Sequence, residues 1–244
     1  AQISPAAPAF AAAILCFLNL IFAYFKLPET LRPGQRPTHV YSWKSFQHLW
    51  SHHNVIWILG ISLFTSLAFS MMEQTTSLLI DSTWPQDSKH SALLTGIYLM
   101  GVGITATLVQ GFLIGKISKK VSEIPLLQIG AFFILLGLFL IPVLAETKNF
   151  TWFLLCGVVL AFGSGLLNPT LPTFLSRSTS ESEQGGVLGM NQGMAALGRV
   201  IGPASAGFLY QWKQVSPFFI GAVLMLMPLF FTLFLKALRK TKVH

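Results

Sequence analysis

Charge is scarce in this chain. Asp and Glu number 8 and Lys and Arg 16 among 244 residues, so charged side chains make up 10% of the total against 53% hydrophobic. Soluble domains carry about a quarter charged residues, and a composition this poor in charge does not supply a water-facing surface. Cysteine is nearly absent. Cys16 and Cys156 both lie within apolar stretches, and neither a zinc-type spacing nor a disulfide framework can be built from them; they read as small packing residues. Catalytic signatures are missing as well. No HExxH occurs, GSG at 163–165 is not a GxSxG nucleophile elbow, and no His lies inside an apolar run to serve as a base. An enzyme is not expected, nor is a metal or a cofactor.

What the chain has instead is length in its apolar runs. A span needs about 20 apolar residues to cover about 30 Å of hydrocarbon. Seven stretches qualify: 6–25, 55–80, 91–115, 125–145, 150–175, 185–210 and 216–236. The fold class that follows is an all-α integral membrane protein with seven transmembrane helices. Short connectors leave no room for a sizeable soluble domain.

The net charge of +8 could suggest nucleic acid, but its placement argues against that partner. Lys26, Arg32, Arg36, Lys44, Lys116, Lys119, Lys120, Arg177, Lys236, Arg239, Lys240 and Lys242 fall on one side of the spans; Lys89, Lys148 and Lys213 fall on the other. Twelve cations against three is a positive-inside signature. It places the start of the chain outside and the C-terminus in the cytoplasm, in a multi-pass protein of the cell (inner or plasma) membrane. Trp84, Trp152 and Trp212 at the outer ends, and Trp50 and Trp57 at the inner, form the aromatic belt expected of such a protein.

Three regions are expected: residues 1–28 as one span, 29–54 as a cytoplasmic linker, and 55–240 as a six-helix bundle. Pro28 stops the first helix. Pro33, Gly34 and Pro37 make the first part of the linker irregular. Trp43, Phe46 and Trp50 then recur at helical spacing, which predicts a short helix on the membrane surface. His48 and His52, one turn apart beside His53, have no carboxylate or thiol near them and read as polar residues of a wet face. The chain opens on Ala1 with no basic leader, and is expected to be a fragment of something longer.

The few polar residues inside the spans carry the functional question, because they are costly to place there. Glu73, followed by Gln74, lies in the second span and is the only carboxylate inside any of the seven. Desolvation there would favour its neutral form, which suits either a proton-coupled carrier or a structural pairing with a neighbouring helix. Arg199 sits near the middle of the sixth span, where it costs about 2.5–3.5 kcal/mol on insertion scales. It requires a partner, for which Glu73 is the candidate, or a water-filled cavity. In the fifth span Gly163 and Gly165 loosen the helix, and Pro169 and Pro172 each remove a backbone donor. With Asn168 among them, the segment reads either as a hinge beside a solute pathway or as a kinked packing helix. Gly198 and Gly202 form a GxxxG pair for close helix approach, near Pro203 and Gly207. Asn191 and Gln192 are polar on the same helix, and either line a cavity or bond across helices.

Three stretches, GFLIGKISKK at 111–120, GSGLLNPTLPTFLSRSTSESEQGGVLGMNQG at 163–193 and LGRVIGPASAGFLY at 197–210, resemble the major facilitator superfamily, as does AFSMMEQTTSLL around Glu73. The likeness is to the C-terminal half of a transporter of the drug:proton antiporter branch that includes tetracycline and multidrug efflux proteins, and it extends over essentially the whole chain. It implies a twelve-helix carrier of which this chain supplies helices 6–12, with substrate bound near the midplane between two six-helix halves. Small-molecule substrate, protons, the bilayer and an N-terminal six-helix half are the partners implied. Glu73, Gln74, Asn168, Asn191, Gln192 and Arg199 become substrate or proton-coupling candidates. Gly111, Gly115, Lys116, Lys119 and Lys120 become a basic cytoplasmic turn that latches conformations. The alternative by span count is a seven-helix receptor or retinal-type protein; the latter requires a Lys deep in the final span, and SPFFIGAVLMLMPLFFTLFL has none before Lys236.

Overall fold

The computed structural model describes residues 7–27, 53–85, 88–180 and 183–241. The linker expectations lie outside these residues: the surface helix with Trp43, Phe46 and Trp50, and the His48/His52 pair. The chain divides into two compact units, Ala1–Val40 and Tyr41–His244. In the first, α1 (Ala7–Lys26) is an uninterrupted apolar helix with Lys26 in its last turn, and its described large hydrophobic side chains are exposed. Such a helix, apolar all round, belongs in lipid.

The second unit is a helical bundle: α2 (His53–Thr83), α3 (Ser88–Leu108), a π turn (Val109–Leu113), α4 (Ile114–Ile117), α5 (Glu123–Ala145), α6 (Phe150–Arg177), α7 (Gln184–Trp212), α8 (Ser216–Leu224) and α9 (Leu226–Thr241). No strand occurs among the described residues. Among them, six helical stretches are long and apolar enough to cross a membrane. The remaining expected span, the sixth, is α7, which is long enough at 29 residues but falls short in hydropathy. Seven glycines, together with Asn191, Gln192 and Arg199, dilute its apolar content. It is still a bundle helix, because its small residues are its packing surface. At 31 residues α2 is about 46 Å long, more than the hydrocarbon thickness, so it tilts or projects from the bilayer.

The most extensive contacts are α5 with α6 and α2 with α7, followed by α3 with α6; α8 and α9 close the bundle against α2 and α5. Ile58, Ile61, Ile134, Leu138, Leu160, Phe153 and Phe218 are fully buried between them. Lipid is as apolar as these side chains, so what holds the helices is close packing. The α2–α7 contact shows how close: a Cβ on Gly198 would sit 2.8 Å from the Leu67 nitrogen and 2.9 Å from the Leu63 oxygen. One turn on, a Cβ at Gly202 would meet the Ser70 side chain at 2.9 Å, whereas Gly207 faces open space.

Helix breaks do not fall where the prolines of the fifth span suggest. α6 runs unbroken through Pro169 and Pro172, started by Asn149, whose side chain accepts from the Thr151 N–H at 3.0 Å. Its Gly163 and Gly165 are contact points. A Cβ on Gly163 would lie 2.6 Å from the Gly130 oxygen of α5, and one on Gly165 would lie 2.8 Å from Val109 of the π turn. The interruptions are elsewhere. In the π turn the Ile114 N–H reaches back to the Val109 oxygen, inserting a residue into the α3–α4 span. At Met225 the last span breaks between α8 and α9, because Pro228 cannot donate to the Leu224 carbonyl and its ring crowds it.

The two ends of the bundle are tied differently. At one, the Trp84 indole N–H donates to the Lys148 carbonyl at 3.0 Å, and its ring packs edge-on to Phe150 and Phe153. Lys148 itself holds a left-handed backbone at φ 54°. At the other, the Arg177 guanidinium at the end of α6 pairs with the Glu123 carboxylate at the start of α5. Lys116, Lys119 and Lys120 are exposed beside the start of α5.

Candidate functional site

On α2, Thr65 and Ser66, then Phe69 and Ser70, then Glu73 recur every three to four residues, which puts them on one helix face. That face forms one wall of a cavity of about 230 Å³; Ser164 and Asn168 from α6 and Arg199 from α7 complete the lining. The α2–α7 glycine contact sets the register. With Gly198 seated on Leu63–Leu67, the next residue, Arg199, comes level with the α2 hydroxyls.

Three of the six candidates read from the sequence therefore meet: Glu73, Asn168 and Arg199 share this cavity although 126 positions separate Glu73 from Arg199. All three are exposed to it. Glu73 is exposed and stands in the wall of this cavity. Glu73 and Arg199 form no ion pair with each other, whereas Arg177 and Glu123 do. Both charges are turned to the same space, and an opening there relieves the cost of an intramembrane charge as well as a partner would.

The other candidates are placed apart. Gln74 and Gln192 are exposed and do not line the cavity. Asn191 is buried, and its backbone oxygen accepts a long bond of 3.5 Å from the Ser62 hydroxyl. Its side-chain oxygen has no hydrogen-bond partner among the described residues. Pro169, Pro172 and Pro203 are half-buried within their helices, and Gly111, Gly115, Lys116, Lys119 and Lys120 are exposed.

Sequence reading missed the hydroxyl wall. Thr65 is 5% exposed, and its hydroxyl has no partner among the described residues. That is unusual for a helical threonine, which normally bonds back to its own helix. Thr75, Thr76 and Thr170 do so, to Met71, Met72 and Leu166 at 2.8, 2.7 and 2.6 Å. Buried polar atoms left unpaired are rare and call for an explanation. A second missed signal was readable in the letters. Asn168 precedes Pro172 by four, and Arg199 precedes Pro203 by four. Each cavity residue thus has a backbone carbonyl without its ordinary helical donor.

Residues 1–179 and 134–244 match the family model of the Major Facilitator Superfamily. The chain is 29% identical over 233 residues to Multidrug resistance protein 2 of Bacillus subtilis, covering 93% of this chain and 56% of that protein. It is 24% identical over 237 residues to Multidrug resistance protein 1 of the same organism, covering 97% of this chain and 59% of the relative. Against Tetracycline resistance protein, class C, of Escherichia coli it is 26% identical over 234 residues, or 92% and 56%. The chain thus spans little more than half the length of these relatives.

Proposed function

This chain belongs to the major facilitator superfamily, and on that premise we propose that it forms part of a secondary active transporter that moves small organic solutes across the plasma membrane by alternating access. The observation that carries the reading is the cavity in which Glu73, Asn168 and Arg199 arrive from three different helices. A bundle built only for stability would pair such charges or exclude them.

In the proposed mechanism the C-terminal half supplied here faces an N-terminal six-helix half across the substrate site, with the C-terminus in the cytoplasm. Glu73 is the proton-coupling group. Its carboxylate binds either a proton or the positive end of the solute, and the two compete for it. Protonation then shifts the balance between outward-open and inward-open states only insofar as those states differ in affinity for the proton. Asn168 and Arg199 orient the solute, and the freed carbonyls beside them add acceptors. The direction proposed is efflux, in keeping with relatives whose names specify multidrug and tetracycline resistance.

The test is proton movement in proteoliposomes holding the carrier expressed from its complete reading frame, with a pH-sensitive dye in the lumen. Ethidium, tetracycline and phenylalanine serve as probe solutes. At least one is expected to drive proton flux opposite to its own movement, and Glu73→Gln is expected to abolish that flux. Absence of proton flux with all three, or an unchanged flux in E73Q, overturns the coupling assignment.

A further inference from the structure

We propose that the cavity takes an amphoteric solute, one that carries a carboxylate and an ammonium on the same small skeleton. The proposal rests on the carrier reading above and narrows it to a substrate class.

The lining itself argues against a lipophilic ligand. Pockets for such molecules are lined mainly by hydrophobic and aromatic side chains; on the wall this chain supplies, Phe69 is the one apolar residue among eight, so this wall favours a ligand with polar or charged groups facing it. The charges then select the ligand. Glu73 and Arg199 open into the same space without an ion pair between them, and each needs a counter-charge once water is displaced. A cationic solute satisfies Glu73 and is repelled by Arg199. An anionic one does the reverse. A neutral one leaves both charges unpaired. A zwitterion meets both: its carboxylate accepts two parallel bonds from the Arg199 guanidinium, and its ammonium donates to Glu73. The Thr65 hydroxyl, buried and unpartnered among the described residues, lies in the same wall closed off from the cavity, and reaches the solute once a rotamer change turns it inward. The Asn168 carbonyl, deprived of its helical donor by Pro172, supplies an acceptor for a second ammonium proton.

The experiment is calorimetric titration of the full-length carrier in nanodiscs with three molecules of one shape: phenylalanine, phenethylamine and 3-phenylpropionate. They carry both charges, the cation alone and the anion alone, on a ring that can meet Phe69. Phenylalanine is expected to bind at least about tenfold more tightly than either single-charge analogue, the scale of a charge-assisted hydrogen bond. In Arg199→Gln the advantage over phenethylamine should vanish while that over 3-phenylpropionate remains. In Glu73→Gln the pattern should invert. Arg199→Lys, which keeps the charge but loses the second parallel bond, should retain part of the preference where R199Q retains none, separating recognition from folding. The proposal is overturned if phenethylamine binds as well as phenylalanine to the unmodified carrier, if R199Q leaves their ratio unchanged, or if none of the three binds at millimolar concentration. Because the readout is binding, the two proposals fail separately: phenylalanine preference without proton flux removes the coupling assignment alone, and proton flux with a preference for the cation removes the substrate class alone.

Discussion

At the scale of the residue, the polar groups of α2 fall into two kinds with different consequences. Thr75 and Thr76 satisfy their hydroxyls within the helix, so either one replaced by Val loses an interaction. Thr65, among the described residues, satisfies nothing. Thr65→Val is therefore expected to raise stability by about 1 kcal/mol, because an unpaired buried hydroxyl is removed, while weakening phenylalanine binding. T75V is expected to show no gain. Thermal unfolding of the two variants in detergent checks the contrast, and a loss of stability in T65V would show that its hydroxyl already has a partner. Glu73 was conspicuous in the sequence as the carboxylate in an apolar run. Thr65 was not, because nothing in the letters distinguishes a threonine that bonds back to its helix from one that does not.

At the scale of the element, α7 is shaped by glycine more than by hydrophobicity. Gly198 and Gly202 bring its backbone onto α2 and thereby set the height of Arg199 against Ser66 and Ser70. Gly198→Leu would drive a side chain into the backbone of residues 63–67, which cannot yield without moving a whole helix. The expected cost is about 1–3 kcal/mol or more, together with loss of solute binding as Arg199 shifts. Gly207→Leu, on a face with nothing within 4 Å, is expected to stay within about 0.5 kcal/mol. Equal melting temperatures for the two variants would refute the role given to the contact. The GxxxG spacing was legible beforehand; its partner helix was not. Where a helix is interrupted was not legible either, for a related reason. Prolines in α6 are absorbed because its neighbours hold it on both sides, through Gly163 against α5 and Gly165 against the π turn, whereas Pro228 lies just past the point where the last span gives way.

At the scale of the whole molecule, charge sets orientation and packing sets the site. Twelve cations on one side of the spans and three on the other predict which face meets the cytoplasm. With Cys16 and Cys156 replaced by Ser, single cysteines introduced at Ser118 and at Thr147 should report it. An impermeant maleimide added to intact cells should label position 147 and leave 118 unlabelled until the membrane is opened; the reverse pattern would invert the orientation proposed here. The letters of the chain alone determined that it is helical and lives in lipid, and which charges fall inside long apolar stretches, because each of these follows from local composition: transfer into hydrocarbon acts residue by residue, and run length and charge position are one-dimensional. Tertiary structure alone decided that Glu73, Asn168 and Arg199 share one cavity, that the two charges stand open and unpaired, and that Thr65 joins them. Those facts depend on which helix faces lock together, and that is determined by shape complementarity between backbones distant in sequence, here glycines of α7 seated on α2, which no local pattern encodes.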